Sequence, residues 1–292
     1  MSQNRGLGEI HAAVVLFGLA GLFGKWLSLS PLIIVFGRVV FAGLVLGGFL
    51  ALTRSGPRGT KGGNWRSHLG LFPLLGLILA VHWTAFFRSI QVSSVAVGLL
   101  SYSTFPLFTA FLEPLMNREP WEPRPLVLSL GCLGGVFLMI PRFDPGNAVF
   151  QGVCWGVFAG LTFSLLTVLN RRLSARLPAL VIAFFQDSFA ALFLVPFFFL
   201  LRPRLSGRDL LLLGLLGVAC TALAHTLFIR GMREVSARTA SIISSLEPAY
   251  GALLAFLFLA EVPSPRTIAG GAVIVGSSVL ASLAERSRGL GP

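Results

Sequence analysis

One apolar pattern occurs twice in this chain, 142 residues apart and without a gap. Thr84, Phe86, Arg88, Ser94, Ser103 and Pro106 fall opposite Thr226, Phe228, Arg230, Ser236, Ser245 and Pro248. Ala110, Leu112, Glu119, Pro123, Arg124, Gly134 and Leu138 then match Ala252, Leu254, Glu261, Pro265, Arg266, Gly276 and Leu280. The offset is close to half of the 292 residues, so whatever the first half folds into, the second half folds into again. The division falls near Gly146, giving expected units at 1–146 and 147–292.

The material of each half is too apolar for water. Hydrophobic residues make up 55% of the chain and charged residues 12%, where a soluble domain carries about 25% charged residues. Runs of roughly 20 apolar residues are long enough to cross a bilayer. Ten such runs occur, at 9–28, 32–53, 69–90, 94–116, 124–141, 149–170, 178–200, 209–230, 236–259 and 265–284. Lipid admits only helices or closed barrels, and none of the runs alternates with the period of a strand. The expectation is an all-α membrane protein of ten transmembrane helices.

The formal net charge of +12 suggests nucleic acid at first sight. The basic residues, however, stand singly or in short groups between apolar runs, with no basic stripe or nucleic-acid module, so nucleic-acid binding is set aside. Cys132, Cys154 and Cys220 lie within apolar runs without metal-ligand spacing. Neither a metal nor a cofactor is expected. With no Walker motif, the chain is not read as an ATP-driven pump on its own, nor as an enzyme.

The loops give an orientation. With the N-terminus inside, 14 basic residues are cytoplasmic: Arg5, the groups at 54–66, 118–124, 171–176 and 233–238, and the pair at 286–288. The opposite side holds 5, at 142, 202–208 and 266. This bias puts both termini in the cytoplasm, in an expected bacterial inner membrane. Five spans per half is an odd number, so the second half enters the membrane upside down relative to the first. Inverted repeats of this kind suit alternating access, because the two halves can exchange shapes and open the centre to opposite sides.

Glu247-Pro248, the apolar run to Leu259 and then Glu261 form the most specific stretch, with a weaker copy in Phe105-Pro106 and Glu119. Phe17-Gly18, Lys25, Pro31 and Arg38 open the first half, and Trp155-Gly156 stands at the corresponding start of the second. On these residues the chain resembles the drug/metabolite transporter superfamily, specifically its EamA-type exporters with ten helices. The resemblance covers nearly the whole chain. No basic residue matches Lys25 in the sixth span. The resemblance implies a central cavity lined by the first, third, fourth, sixth, eighth and ninth helices, and it names no solute.

Several residues are candidates for that cavity. Glu247 sits mid-span, where a charge costs roughly 2.5–3.5 kcal/mol or more and must face protein or water, or be protonated. It either meets the cationic part of a solute, titrates, or anchors a neighbouring helix. His82 and His225 lie on the third and eighth spans, with Trp83 opposite His225 in the repeat. Each histidine is either a proton carrier or a satisfied hydrogen-bonding residue. Tyr102 and Tyr250 flank Pro106 and Pro248, and with Trp83 and Trp155 they could stack on a flat solute or grip a cation. Ser103 and Ser244 complete the polar set. Pro106 and Pro248 each remove a backbone donor and are expected as hinges. Lys25, Arg38 and Asp187 are buried charges, with Asp187 a partner for Arg38 or Lys25. Gly152, Gly156 and Gly160, and likewise Gly43 and Gly47, form small-residue stripes for close helix packing, with a dimer seam as the alternative.

The expected function is export of amino acids or related small metabolites by alternating access. The drive would come from protons or from the solute's own gradient. Export of drug-like cations or nucleotide sugars is the alternative, and a channel a more distant one. The expected partners are a small-molecule substrate, the lipid bilayer and, in one reading, protons, with a monomer favoured over a homodimer.

Overall fold

Proline and serine punctuate the apolar runs, and many of the helices begin beside them. A computed structural model describes residues 2–53, 70–118, 123–174, 176–235, 240 and 243–286. Glu119, Ser236 and the basic residues at 54–66, 238 and 288 lie outside the described residues. Among the described residues twelve α-helices are distinguished: α1 Ser2–Trp26, α2 Pro31–Leu52, α3 Leu71–Val92, α4 Val95–Tyr102, α5 Phe105–Asn117, α6 Pro123–Met139, α7 Ala148–Ser174, α8 Ala179–Leu201, α9 Gly207–Gly217, α10 Ala224–Gly231, α11 Glu247–Leu259 and α12 Pro265–Arg286. Among the described residues there is no strand.

Pro31, Pro123 and Pro265 open α2, α6 and α12, where a missing N–H costs nothing. The Ser94 hydroxyl caps α4 by accepting from Val97 N at 3.1 Å. Ser206 and Asp209 form a reciprocal capping box on α9. Arg118 and Ala260 close α5 and α11 in the left-handed region, with φ of 58° and 53°. These two positions are repeat equivalents, and the ends of α5 and α11 also match residue for residue across the offset. Over α5 and α11 the duplication in sequence is therefore also one in backbone.

The fourth and ninth runs, expected as continuous spans, are broken. A proline ring clashes with the carbonyl four residues earlier. For Pro106 that is Tyr102, where α4 ends; for Pro248 it is Ser244, where the preceding helical turn ends. Each helix restarts at once with its proline in the first turn. The eighth run is also irregular, since Val218–Leu223 is a π-helical segment between α9 and α10.

Among the described residues, seven helical stretches are long and apolar enough to cross a membrane, with α4–α5 and α9–α10 each counted as one, and α11 is a shorter apolar helix. The outer surface carries Leu44, Phe49, Phe199, Leu200, Leu257 and Phe258, all more than half exposed, an apolar surface that only lipid would cover. The polar groups go inward: Arg38, Gln186, Asp187, Thr221 and Glu247 are all at most 3% exposed. This is an integral, multi-pass membrane protein.

Glycines set the closest approaches. A Cβ on Gly156 would lie 1.9 Å from Ser101 Oγ, and one on Gly160 would lie 2.8 Å from Tyr102 O. The α7 stripe thus lets α4 and the α4–α5 break sit against its backbone. Gly47 similarly receives the Phe184 ring, 2.9 Å from where its Cβ would be. Both stripes are occupied within the chain.

Candidate functional site

Arg38 of α2 meets the π segment before α10 and shares a cavity with Glu247 at the head of α11. In an α-helix every interior carbonyl is taken. The π segment disturbs that pattern, and the Cys220 carbonyl accepts from Arg38 Nη2 at 3.3 Å. Thr221 Oγ1 accepts from Arg38 Nε at 2.9 Å and donates to Leu216 O at 2.8 Å. The guanidinium carbon lies 3.7 Å from the centre of the Trp83 ring and 5.5 Å from that of Phe87. A desolvated cation over an indole is stabilised by about 2 kcal/mol, which helps to hold an arginine that is 1% exposed.

Around this cation runs an aromatic wall. Trp83 meets the His225 ring edge-on at 5.9 Å. His82 lies 5.7 Å from Tyr102 and 5.4 Å from Phe163. Its Nδ1 is 2.9 Å from Ala159 O, so Nδ1 carries a proton and donates to that carbonyl. Glu247 heads α11, at the positive end of the helix dipole, where an acidic residue is favoured. Its backbone carbonyl lies close to Gly18 of α1, where a Cβ would be 3.2 Å away; a side chain there would push the two helices apart.

Arg38, His82, Trp83, Tyr102, His225 and Glu247 line a single cavity, with Phe17, Phe86, Phe163, Phe228 and Asn170 completing it. Its volume is about 40 Å³, which admits water. Small-molecule sites measure roughly 300–1,000 Å³, so a solute enters only when the helices part. The chemistry on offer is recognition. A fixed cation and an acid stand in one apolar chamber, and among the described residues no His, Cys, Asp and Glu gather as a metal-holding set.

The other candidate residues lie elsewhere. Ser103 is fully buried, and its hydroxyl donates to Leu99 O at 2.9 Å. Ser244 is buried, with no hydrogen bond to its hydroxyl among the described residues. Tyr250 is half-buried and packs with α1 residues in the main core, outside the cavity lining. Trp155, expected at the cavity, is instead 41% exposed beside Phe158, because the glycine face of α7 takes the inward position. Lys25 donates to Ser93 O at 2.8 Å at the far end of α1, and so does not pair with Asp187. Asp187 is fully buried on α8, and neither carboxylate oxygen has a hydrogen-bond partner among the described residues.

Two features escaped the sequence reading. Phe86 and Phe228 both line the cavity, and their signal was present, since they are repeat equivalents on the same spans as Trp83 and His225. The π segment VACTAL that receives Arg38 carries no signal, being ordinary apolar sequence.

A multi-pass helical membrane protein with a charged, aromatic-walled cavity between its helices has the parts needed to hold a small molecule inside the membrane. The description of the EamA-like transporter family matches the chain twice, at residues 5–140 and 150–283. The chain belongs to that family. An uncharacterized transporter of Archaeoglobus fulgidus is 28% identical over 94% of this chain and 96% of its own length. The uncharacterized inner membrane transporter YicL of Salmonella typhimurium is 28% identical over 98% of each chain. A protein of Pseudomonas aeruginosa described as a probable biotin transporter is 28% identical over 91% of this chain and 93% of its own. A solved crystal structure superposes with a TM-score of 0.68 at 20% identity, covering 97% of this chain and 99% of that one, a likeness of fold.

Proposed function

We propose that the protein exports amino acids or closely related small metabolites across the bacterial inner membrane by alternating access. The observation that carries this reading is that a basic and an acidic side chain, Arg38 and Glu247, line the same cavity. An amino acid presents the complementary pair, a carboxylate for the guanidinium and an ammonium for the acid. Arginine suits the first task because its planar fork can hold both carboxylate oxygens. Tyr102, in the same lining, offers an aromatic ring to the ammonium.

In this reading the chain has ten spans in two inverted five-helix repeats, 1–146 and 147–292, with both termini cytoplasmic, and one chain is the transport unit. Support comes from the two family matches, from the equivalent ends of α5 and α11, and from the contact between the repeat-related residues Trp83 and His225. The broken helices put new N-terminal ends inside the apolar runs 94–116 and 236–259, as carriers built from inverted repeats do.

A second reading, transport of a carboxylate without an amine, is favoured by the relative described as a probable biotin transporter. Such a solute needs Arg38 and the aromatic wall but not Glu247. Counterflow into proteoliposomes separates the two. Amino acids exchanged by the wild type and lost in Glu247→Gln support the first reading; exchange of amine-free carboxylates alone supports the second. A wild type that exchanges neither, against a positive control carrier, overturns both.

A further inference from the structure

We propose that Asp187 is a proton-binding site and that its proton crosses the membrane with the solute, because Asp187 and the solute's carboxylate compete for Arg38. The proposal rests on the carboxylate-binding role given to Arg38 above. It begins from geometry. Asp187 is fully buried in the middle of α8, and both of its oxygens lack a hydrogen-bond partner among the described residues. Its neighbour Gln186 turns its amide to Asn170 of α7 instead. A carboxylate left bare in a membrane interior is heavily penalised, and a bound proton removes the penalty.

The counterion that could replace the proton is nearby and engaged elsewhere. Arg38 sits on α2, which packs along α8, and interacts electrostatically with Asp187. Its Nε and Nη2 are given to Thr221 and Cys220 of the π segment. Among the described residues, the other helices against α8 bring no second counterion. From α3 comes His82, whose Nδ1 donates to Ala159 O, and from α10 His225, whose ring packs against Trp83. Arg88, Arg230, Arg171 and Arg172, on α3, α10 and α7, are exposed at the ends of those helices. Asp187 therefore has two ways to be satisfied, a proton or Arg38.

Arg38 also lines the cavity and is the group offered to a solute's carboxylate. Two carboxylates drawing on one guanidinium compete. A solute at Arg38 favours the protonated form of Asp187, and by reciprocity the proton favours the solute. A proton from the water on the loading side binds one Asp187 oxygen as the solute binds. Both leave on the other side, where the carboxylate re-forms against Arg38. Efflux of solute down its own gradient would then carry protons outward with it.

Two measurements on the full chain test this, and only one depends on the solute. Infrared pH-difference spectra of the purified protein should contain a carboxylic-acid C=O band that titrates, that is lost in Asp187→Asn, and that is retained in Glu247→Gln. Asp187→Glu, which keeps the acid, should shift the band and guards against a misfolded asparagine variant. No titrating band, or one indifferent to Asp187, overturns the proton site whatever the solute. In proteoliposomes with a trapped pH-sensitive dye, a gradient of an exchanged amino acid should move protons in the solute's own direction, near one per solute. That movement, and the pH dependence of exchange, should be lost in Asp187→Asn. Protons moving against the solute, or coupling that survives Asp187→Asn, overturn the proposal. A wild type that exchanges no solute would count against the transport reading, while the infrared band still decides the proton site.

Discussion

The Arg38 guanidinium lies 3.7 Å over the centre of the Trp83 ring, and the two side chains come from the neighbouring helices α2 and α3. The ring holds the guanidinium flat while Thr221 and Cys220 take two of its donors. Lysine cannot reproduce this, because a point ammonium has no plane to stack and no fork to divide between a partner and a solute. Arg38→Lys should therefore fail to restore exchange despite keeping the charge. Trp83→Leu should raise the half-saturating concentration of a carboxylate solute by roughly tenfold or more, in line with about 2 kcal/mol for a desolvated cation–π contact. Counterflow at varied solute concentration reads both. An Arg38→Lys variant with wild-type kinetics would remove the planar fork from the account.

Glu247 separates solutes by their amine. A hydrogen bond involving a charged group is worth about 1.5–3 kcal/mol, so Glu247→Gln should cut affinity for an amino acid by roughly ten- to a hundred-fold. Affinity for the same carbon skeleton without the amine should change little. Competition of labelled amino acid by its deaminated analogue, in wild type and variant, makes the comparison within one preparation. Equal losses for both solutes would mean that Glu247 acts on the helices and not on the amine.

Much of this was legible from residue order because apolar length and proline placement act locally. Pro106 and Pro248 mark the breaks because a proline ring excludes the carbonyl four residues back wherever the helix lies. Trp83 and His225 could be paired in advance because repeat equivalence carries spatial meaning. The inward aim of a side chain is a different matter. Trp155 and Gly156 are adjacent, and which of them faces inward depends on α7 offering its glycine face to Ser93, Ser101 and Tyr102, a choice made by the neighbouring helices. The berth for Arg38 was hidden for a similar reason, since a π turn arises from packing and leaves no compositional mark.

Gly134 and Gly135 are consecutive in α6 and should respond oppositely to alanine. A Cβ on Gly135 would fall 2.6 Å from Gly270 O and 3.0 Å from Ile274 N, both backbone atoms of α12, whereas nothing lies within 4 Å of one on Gly134. Overpacking of this kind costs about 1–3 kcal/mol. Removing a helix-interior glycine without a clash stabilises by up to about 1 kcal/mol. Gly135→Ala should lower the unfolding temperature of the purified protein, and Gly134→Ala should leave it unchanged or raise it. Equal shifts in the two variants would contradict the close α6–α12 packing.

Glu9 holds the two arginines at one end of α1. Its Oε1 accepts from Arg230 Nη2 of α10 at 2.8 Å and from Arg5 Nε at 3.0 Å. Beside it the helices touch at backbone level, since a Cβ on Gly231 would be 2.9 Å from Gly6 O. At the opposite end of α1, Lys25 is tied to Ser93. Alternating access needs one end to part while the other holds, so the two ties should bias the same equilibrium in opposite directions. The Arg230 side chain is 46% exposed, and such a pair contributes only about 0.2–1 kcal/mol. Glu9→Gln should thus speed thiol labelling of a cysteine placed at Ile10 by at most roughly fivefold, in a chain whose exposed Cys154 is serine. Lys25→Ala should slow it. A common direction for both variants would mean that the ties stabilise the fold and do not choose between its two openings.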